Sequence, residues 1–286
     1  MIRVQGMEGL GDSVYQRAIV QALLAKDHVL ISTPWPELLS DLDVQFARAV
    51  SPLRTQAKNI ARQEPGRWAE DSNGAVQVRM RYHLSATDGL PMLDAMGAAA
   101  GLSDMPRSLT LPRSATVWNR DRPIAVVRPV TERAEWPDHA RSPDPGYVGT
   151  AAQALRSAGF HVILVADIDD EHERLVGDLP EFDEAYLRGE LSVQDLVDLI
   201  QSAACTVGGV GWLLPFSIAA SVPHLCVLGG HGHMNCPEVL VGPNLAAERV
   251  TFAMPDEFCR CDSMRHDCSK SISDFDSLLR LWMADL

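Results

Sequence analysis

Residues 160–167, FHVILVAD, are apolar at both odd and even positions, so a strand built from them has no face suited to water. Such a strand needs cover on both sides, which in turn calls for helices above and below a mostly parallel sheet. The flanking sequence supplies them. YVGTAAQALRSAG (147–159) precedes the run with helical spacing and a closing Gly159, and LSVQDLVDLIQSA (191–203) follows with Ser192 as its cap. PIAVVRP (123–129), CTVGGVG (205–211) and HLCVLGG (224–230) read as further strands, with a helix from Leu213 to Ser221 between the last two.

The same alternation occupies the other half of the chain. IRVQG is a strand, glycines turn it, and from Asp12 the residues Val14, Ile19, Val20, Leu23 and Leu24 make one apolar helical face. HVLIS (28–32) and VQFARAV (44–50) read as strands, 51–75 as polar and irregular, VQVRMRYH (76–83) as an edge strand, and LPMLDAMGAAAGL (90–102) as a helix. Residues 103–122 are rich in Pro, Ser, Arg and Asp, as a linker is. The expectation is an α/β protein of two Rossmann-like, doubly wound domains, 1–115 and 116–286, facing a cleft that receives ligand at the carboxyl ends of the strands.

Composition bounds the partners. At 46% hydrophobic and 22% charged residues the 286-residue chain is ordinary for a globular protein. Its N-terminus lacks a charged region followed by an apolar stretch, and no window has the length of a transmembrane segment, so it reads as cytoplasmic. A net charge of -13 argues against a generally basic face for duplex DNA. Six cysteines all lie after residue 204, a placement that favours metal or reduced thiols over disulfides in such a compartment.

Four stretches can carry chemistry. The first is GMEGLGD (6–12), which lacks the Lys and Ser/Thr of a phosphate-binding P-loop and the full dinucleotide fingerprint. Asp12 there suits a general base whose charged form the helix dipole favours; the plain alternative is a helix N-cap, and Glu8 is the substitute base. The second is RPVTERAEW (128–136), where Arg128 and Arg133 can grip a diphosphate with Thr131 beside them and Arg141 as a third cation. Its plain alternative is a solvated loop with Arg133 paired to Glu132 or Glu135. The third is the pair of glycine strand ends, Gly208, Gly209 and Gly211 with Gly229 and Gly230, where backbone can approach a phosphate or ribose; His231 and His233 lie beside them. The fourth is Cys236, Cys259, Cys261 and Cys268, a thiolate set for a structural zinc, with His266 or His231 as substitute ligands and buried reduced thiols as the alternative.

GLGD (9–12), MGAAAGL before the linker, LSVQDLVDLIQSAACTVGGVG (191–211), LCVLGG and the late cysteines together resemble the heptosyltransferase-like glycosyltransferases of family 9, of GT-B fold. The resemblance implies transfer of a sugar from a nucleotide-diphosphate sugar donor, with inversion and with no metal or other cofactor in catalysis. It implies a donor in the second domain, an acceptor against the first, and Gly9, Gly11 and Asp12 as the family's glycine–aspartate loop with Asp12 as base. Where the family has Asp-Ser-Gly and then His-Leu-Ala, this chain has Gly209-Val210-Gly211 and then Leu214-Pro215-Phe216. A sugar-nucleotide-binding protein without catalysis is therefore a second expectation, and an epimerase-like enzyme on the same frame a third. The acceptor is a glycan hydroxyl or, given Arg54, Lys58, Arg62, Arg67, Arg79 and Arg81, a hydroxymethylated nucleic-acid base.

Overall fold

The computed structural model describes residues 1–63, 68–69, 75–82, 90–134, 139–169, 171–230, 235–261 and 267–286. The chain forms two compact units: Met1–Arg113 with Val241–Ala246, and Ser114–Leu240 with Ala247–Leu286.

The first unit is built on a parallel sheet of β1 (Ile2–Gln5), β2 (Val29–Ser32), β3 (Val44–Ala47) and β4 (Val76–Arg79), in the order β3-β2-β1-β4. Its helices are α1 (Leu10–Leu24), α2 (Arg54–Arg62) and α3 (Met92–Ala99), with a 3₁₀ turn at Pro36–Leu39. Helix α1 is buried almost all round, Val14 and Ile19 completely. Its one deeply buried cation, Arg17, is 2% exposed and fully engaged. Arg17 forks onto the Asp41 carboxylate at 2.6 and 2.8 Å, and donates to the Leu38 carbonyl and to Thr110 Oγ1. Those bonds hold the Asp41 carboxyl below the usual carboxylate pKa.

Helix α2 corrects the expectation of an irregular 51–75. It has no apolar stripe; its buried residues are Gln56 and Asn59. They bond to main-chain carbonyls, Gln56 Nε2 to Glu8 at 3.0 Å and Asn59 Nδ2 to Pro34 at 2.7 Å.

The second unit holds a six-stranded parallel sheet, in the order β12-β11-β10-β5-β7-β9. The strands are β5 (Ile124–Val127), β7 (His161–Val165), β9 (Glu184–Tyr186), β10 (Cys205–Gly208), β11 (His224–Val227) and β12 (Val250–Ala253). A separate antiparallel pair, β6 (Thr131–Arg133) with β8 (Glu173–Leu175), stands beside it. Helices α4 (Pro145–Ser157), α5 (Val193–Gln201), α6 (Leu213–Ala219), α7 (Pro237–Leu240) and α8 (Phe275–Ala284) complete the unit. Strands β5, β10 and β11 are buried along their whole length, and β7 from its second residue on, as unalternating apolar runs demand. Ser192 and Asp195 form a reciprocal capping box on α5. On α8 Phe275, Leu279 and Trp282 face the core, Phe275 against Tyr147 of α4 at 4.6 Å between ring centroids.

Both main sheets are doubly wound. In each, the first strand has neighbours on both sides that leave the chain's path in opposite directions, β2 and β4 around β1, and β7 and β10 around β5. Each unit thus has a topological switch point, the place where open α/β sheets leave a crevice at the carboxyl ends of their strands.

Candidate functional site

In the second unit the switch point lies between β5 and β10. Arg128 follows the former directly, and Gly208 ends the latter. The Arg128 amide donates to Val207 O at 2.9 Å, fixing the two strand ends together. Its side chain runs across the glycines: a Cβ on Gly211 would lie 2.7 Å from Arg128 Nη1, and one on Gly208 would lie 3.3 Å from Arg128 Cβ. Glycine at 211 therefore leaves the room that the guanidinium occupies.

Sequence reasoning missed the group that organises these cations. Glu173, on β8 and 4% exposed at its side chain, accepts from Thr131 Oγ1 at 2.7 Å and from Arg133 Nε at 3.2 Å, and lies 3.5 Å from Arg128 Nη2. The alternative pairing of Arg133 with Glu132 is corrected: Glu132 points to the other face of the β6–β8 pair and takes Arg174, at 2.8 Å, with His139 at 2.9 Å. Glu135 lies outside the described residues. Arg141 donates to Val210 O at 2.9 Å. Burial, opposed by Glu173 and reinforced by the charges of Arg133 and Arg141, pulls the Arg128 pKa below the ordinary guanidinium value. Two guanidinium groups on one carboxylate, with the charge of Arg141 also acting on Arg128, leave an excess of positive charge, which an anion relieves.

The next strand end closes on the same loop. A Cβ on Gly229 would meet the carbonyl oxygens of Ala140, Arg141 and Ser142 at 2.5–2.6 Å, and one on Gly209 would meet Pro143 at 3.1 Å. The 139–143 loop is also held by Lys270, whose ammonium bonds the His139 and Ser142 carbonyls. Gly230 adopts φ +97, which a side chain rarely allows, and its carbonyl accepts from the Arg260 amide and Cys259 Sγ. His231 and His233 lie outside the described residues.

Cys259, Cys261 and Cys268 bring their sulfurs within 4.8 Å of one another, while Cys236 is a correction to the expected four. It is 2% exposed beside α7 and bonds with Glu238. His266 lies outside the described residues. Side-chain hydrogen bonds with Cys259 and Cys268, helped by the repulsion between neighbouring thiolates, push the Cys261 thiol up to about 12. Three crowded sulfurs of this kind fit a thiophilic metal such as zinc or iron.

In the first unit the switch point lies between β1 and β4, and Asp12 follows β1. It is not the helix cap: Gly9 is the N-cap of α1, and Asp12 is the third residue of the helix. Gly11 is its second. The loop is rigidly held. Gln16, 2% exposed, accepts from the Met7 amide at 2.7 Å and donates to the Met7 carbonyl, while Trp35 and Gln56 both donate to Glu8 O. The Glu8 carboxylate accepts from the Ser51 hydroxyl. Asp12 Oδ1 accepts from the Tyr82 hydroxyl at 3.0 Å, and Oδ2 leans over Gly9, where a Cβ would lie 2.4 Å away.

No family model matches the sequence, and no curated protein does. Solved structures do match. The chain is similar to the E. coli ADP-heptose lps heptosyltransferase II with a TM-score of 0.59 and 13% identity, covering 98% of each chain. It is similar to a family 9 glycosyl transferase of Veillonella parvula with a TM-score of 0.64 and 9% identity, covering 100% of this chain and 97% of that one. Against the dodecameric iron-containing heptosyltransferase TibC in complex with ADP-D-beta-D-heptose the TM-score is 0.65 at 13% identity, covering 99% of this chain and 76% of that one; TibC comes from enterotoxigenic E. coli. The fold is the GT-B fold of family 9 glycosyltransferases.

Proposed function

We propose that the chain is a glycosyltransferase that moves a sugar from a nucleotide-diphosphate sugar to an acceptor hydroxyl, with inversion at the anomeric carbon. One observation carries the reading: Arg128, Arg133 and Arg141 converge with Gly208 and Gly211 at the switch point of the second unit. Arg128 and Arg133 fork onto the diphosphate, Thr131 adds a neutral contact, and the glycine ends at 208, 209, 211, 229 and 230 admit the nucleotide's phosphates and ribose. Residues 1–115 serve the acceptor and 116–286 the donor.

In the reaction the acceptor oxygen attacks the anomeric carbon from the face opposite the phosphate. Its proton passes to the Asp12 carboxylate, the glycosidic bond forms, and the bond to the phosphate oxygen breaks with its electron pair leaving on the nucleotide. The guanidinium groups stabilise that growing negative charge. The positive charge that a metal provides in other transferases is thereby supplied by side chains, so the proposal assigns no metal to the reacting carbon. A zinc or iron at Cys259, Cys261 and Cys268 would fasten the C-terminal segment beside Gly230. No helix among the described residues is long and apolar enough to cross a membrane, which supports action in the cytoplasm.

The acceptor is a glycan hydroxyl. A hydroxymethylated nucleic-acid base is the alternative, favoured by Arg54, Lys58 and Arg62, which recur every four residues along α2, and by Arg79 and Arg81 at the end of β4. Arg67 lies outside the described residues. A second reading, donor binding without transfer, is favoured by the first turn of α6. Leu213, Leu214, Pro215 and Phe216 are all buried there and offer no acid or imidazole to a donor. Incubation of the protein with a panel of nucleotide sugars and acceptors decides between the readings. Transfer that Asp12→Asn lowers by about a hundredfold or more supports the first, and donor binding with no product from any pair supports the second.

A further inference from the structure

The carboxylate between the donor-side cations is built into the fold. Glu173 stands directly across the β6–β8 ribbon from Arg133, in register with it, so the two side chains share one face of the ribbon. Its main chain is pinned as well: the Glu173 amide donates to Asp169 Oδ1 at 3.2 Å, and the Glu173 carbonyl accepts from the Asp169 amide at 2.8 Å. From this fixed, buried seat the carboxylate takes Nε of Arg133 at 3.2 Å and lies 3.5 Å from Nη2 of Arg128, which comes from the end of β5. Thr131 closes the triangle, donating to Glu173 Oε1 at 2.7 Å and accepting from Arg128 Nη2 at 3.2 Å. A guanidinium carries N–H groups on three nitrogens, and each of the two arginines gives Glu173 one of them.

We propose that Glu173 is a positioning residue for the donor diphosphate, fixing two guanidinium groups from separate elements by one nitrogen each so that their other N–H groups meet the phosphates together; this rests on the reading of Arg128 and Arg133 as the phosphate grip. Arginine is a long side chain with many rotamers, and two of like charge drift apart unless something between them holds both. A carboxylate in that place orders the pair before the diphosphate arrives, so less ordering is left for binding to bring about. A plain counter-charge would act in the opposite sense. It would compete with phosphate for the same cations, and its removal would tighten anion binding. The two roles therefore differ in sign.

Calorimetric titration of ADP, UDP, GDP and inorganic pyrophosphate into wild type, Glu173→Gln and Arg133→Ala reads that sign. Glu173→Gln is expected to weaken pyrophosphate and the nucleoside diphosphate that binds by about tenfold each. Unchanged or tighter binding of both overturns the proposal and leaves the donor site standing. Failure of every diphosphate to bind wild type, or binding to Arg133→Ala as tight as to wild type, sinks the underlying reading instead. A second measurement needs no folded Glu173 variant. With 15N in the arginine side chains of the wild-type protein, the Nε–H signal of Arg133 is identified by its absence from Arg133→Lys. It should keep its carboxylate-bonded position when pyrophosphate saturates the site, because Glu173 retains that N–H while phosphate takes others. A signal that moves to the position of solvent-exposed arginines on saturation shows the carboxylate displaced, and overturns the proposal.

Discussion

Two glycines show how the same residue type serves different ends. At Gly211 the atom in the way of a side chain is Arg128 Nη1, the far end of a flexible group, which can swing aside. Gly211→Ala should therefore leave stability within about 1 kcal/mol of wild type by urea unfolding, yet weaken nucleoside-diphosphate binding roughly tenfold in a titration. At Gly229 the obstacles are three main-chain carbonyls that cannot yield separately. Gly229→Ala should cost about 1–3 kcal/mol in the same unfolding experiment, whether or not nucleotide is present. At this scale Asp12, Arg128, Arg133 and the glycines were legible, because local spacing puts each at a strand end. Glu173 and Tyr82 were not: their partners lie 40–45 and 70 residues away, and nothing local marks either one.

Among elements, the runs apolar on both faces announced the central strands, and the Ser192 cap announced α5. Helix α2 escaped because its buried side is amide rather than hydrocarbon, so a search for apolar periodicity passes over it. Asn59→Ala removes donors from the Pro34 carbonyl and should cost about 1–3 kcal/mol of unfolding free energy. The three-residue strands β6 and β8 are too short to carry a period at all. A polar knot also ties β10, α6 and β11: Thr206 Oγ1 bonds Ser217 Oγ at 2.7 Å and His224 Nδ1 at 2.8 Å, with His224 wholly buried. Burial pushes the His224 pKa down from 6.5 to about 3. The unfolded chain then binds the proton that the folded one refuses, so the stability is full above about pH 6.5 and is lost as pH falls toward 3. Within that window this group removes about 1.4 kcal/mol per pH unit. His224→Asn should flatten the decline in urea-unfolding free energy between pH 6.5 and 5, where few carboxylates titrate; an unaltered slope would show that the imidazole is not the source.

For the whole molecule the alternation of strands and helices was enough to foresee two doubly wound units. It did not foresee that Val241–Ala246 returns to the first unit, where the Ala246 amide bonds Arg107 O at 2.9 Å. A short polar stretch carries no mark of which unit it joins. Net charge settled little, since -13 spread over the chain coexists with Arg128 and Arg133 on Glu173 and the charge of Arg141 acting on Arg128. The proposed donor site depends on that local excess. The most direct test is calorimetric titration of ADP, UDP and GDP into the wild-type protein and into Arg128→Ala. The account predicts that at least one of the three binds wild type and that its affinity falls by about tenfold or more in the variant, since a buried charge-assisted contact to phosphate is lost. Equal affinity in the two proteins, or no binding of any nucleoside diphosphate to wild type, would contradict it.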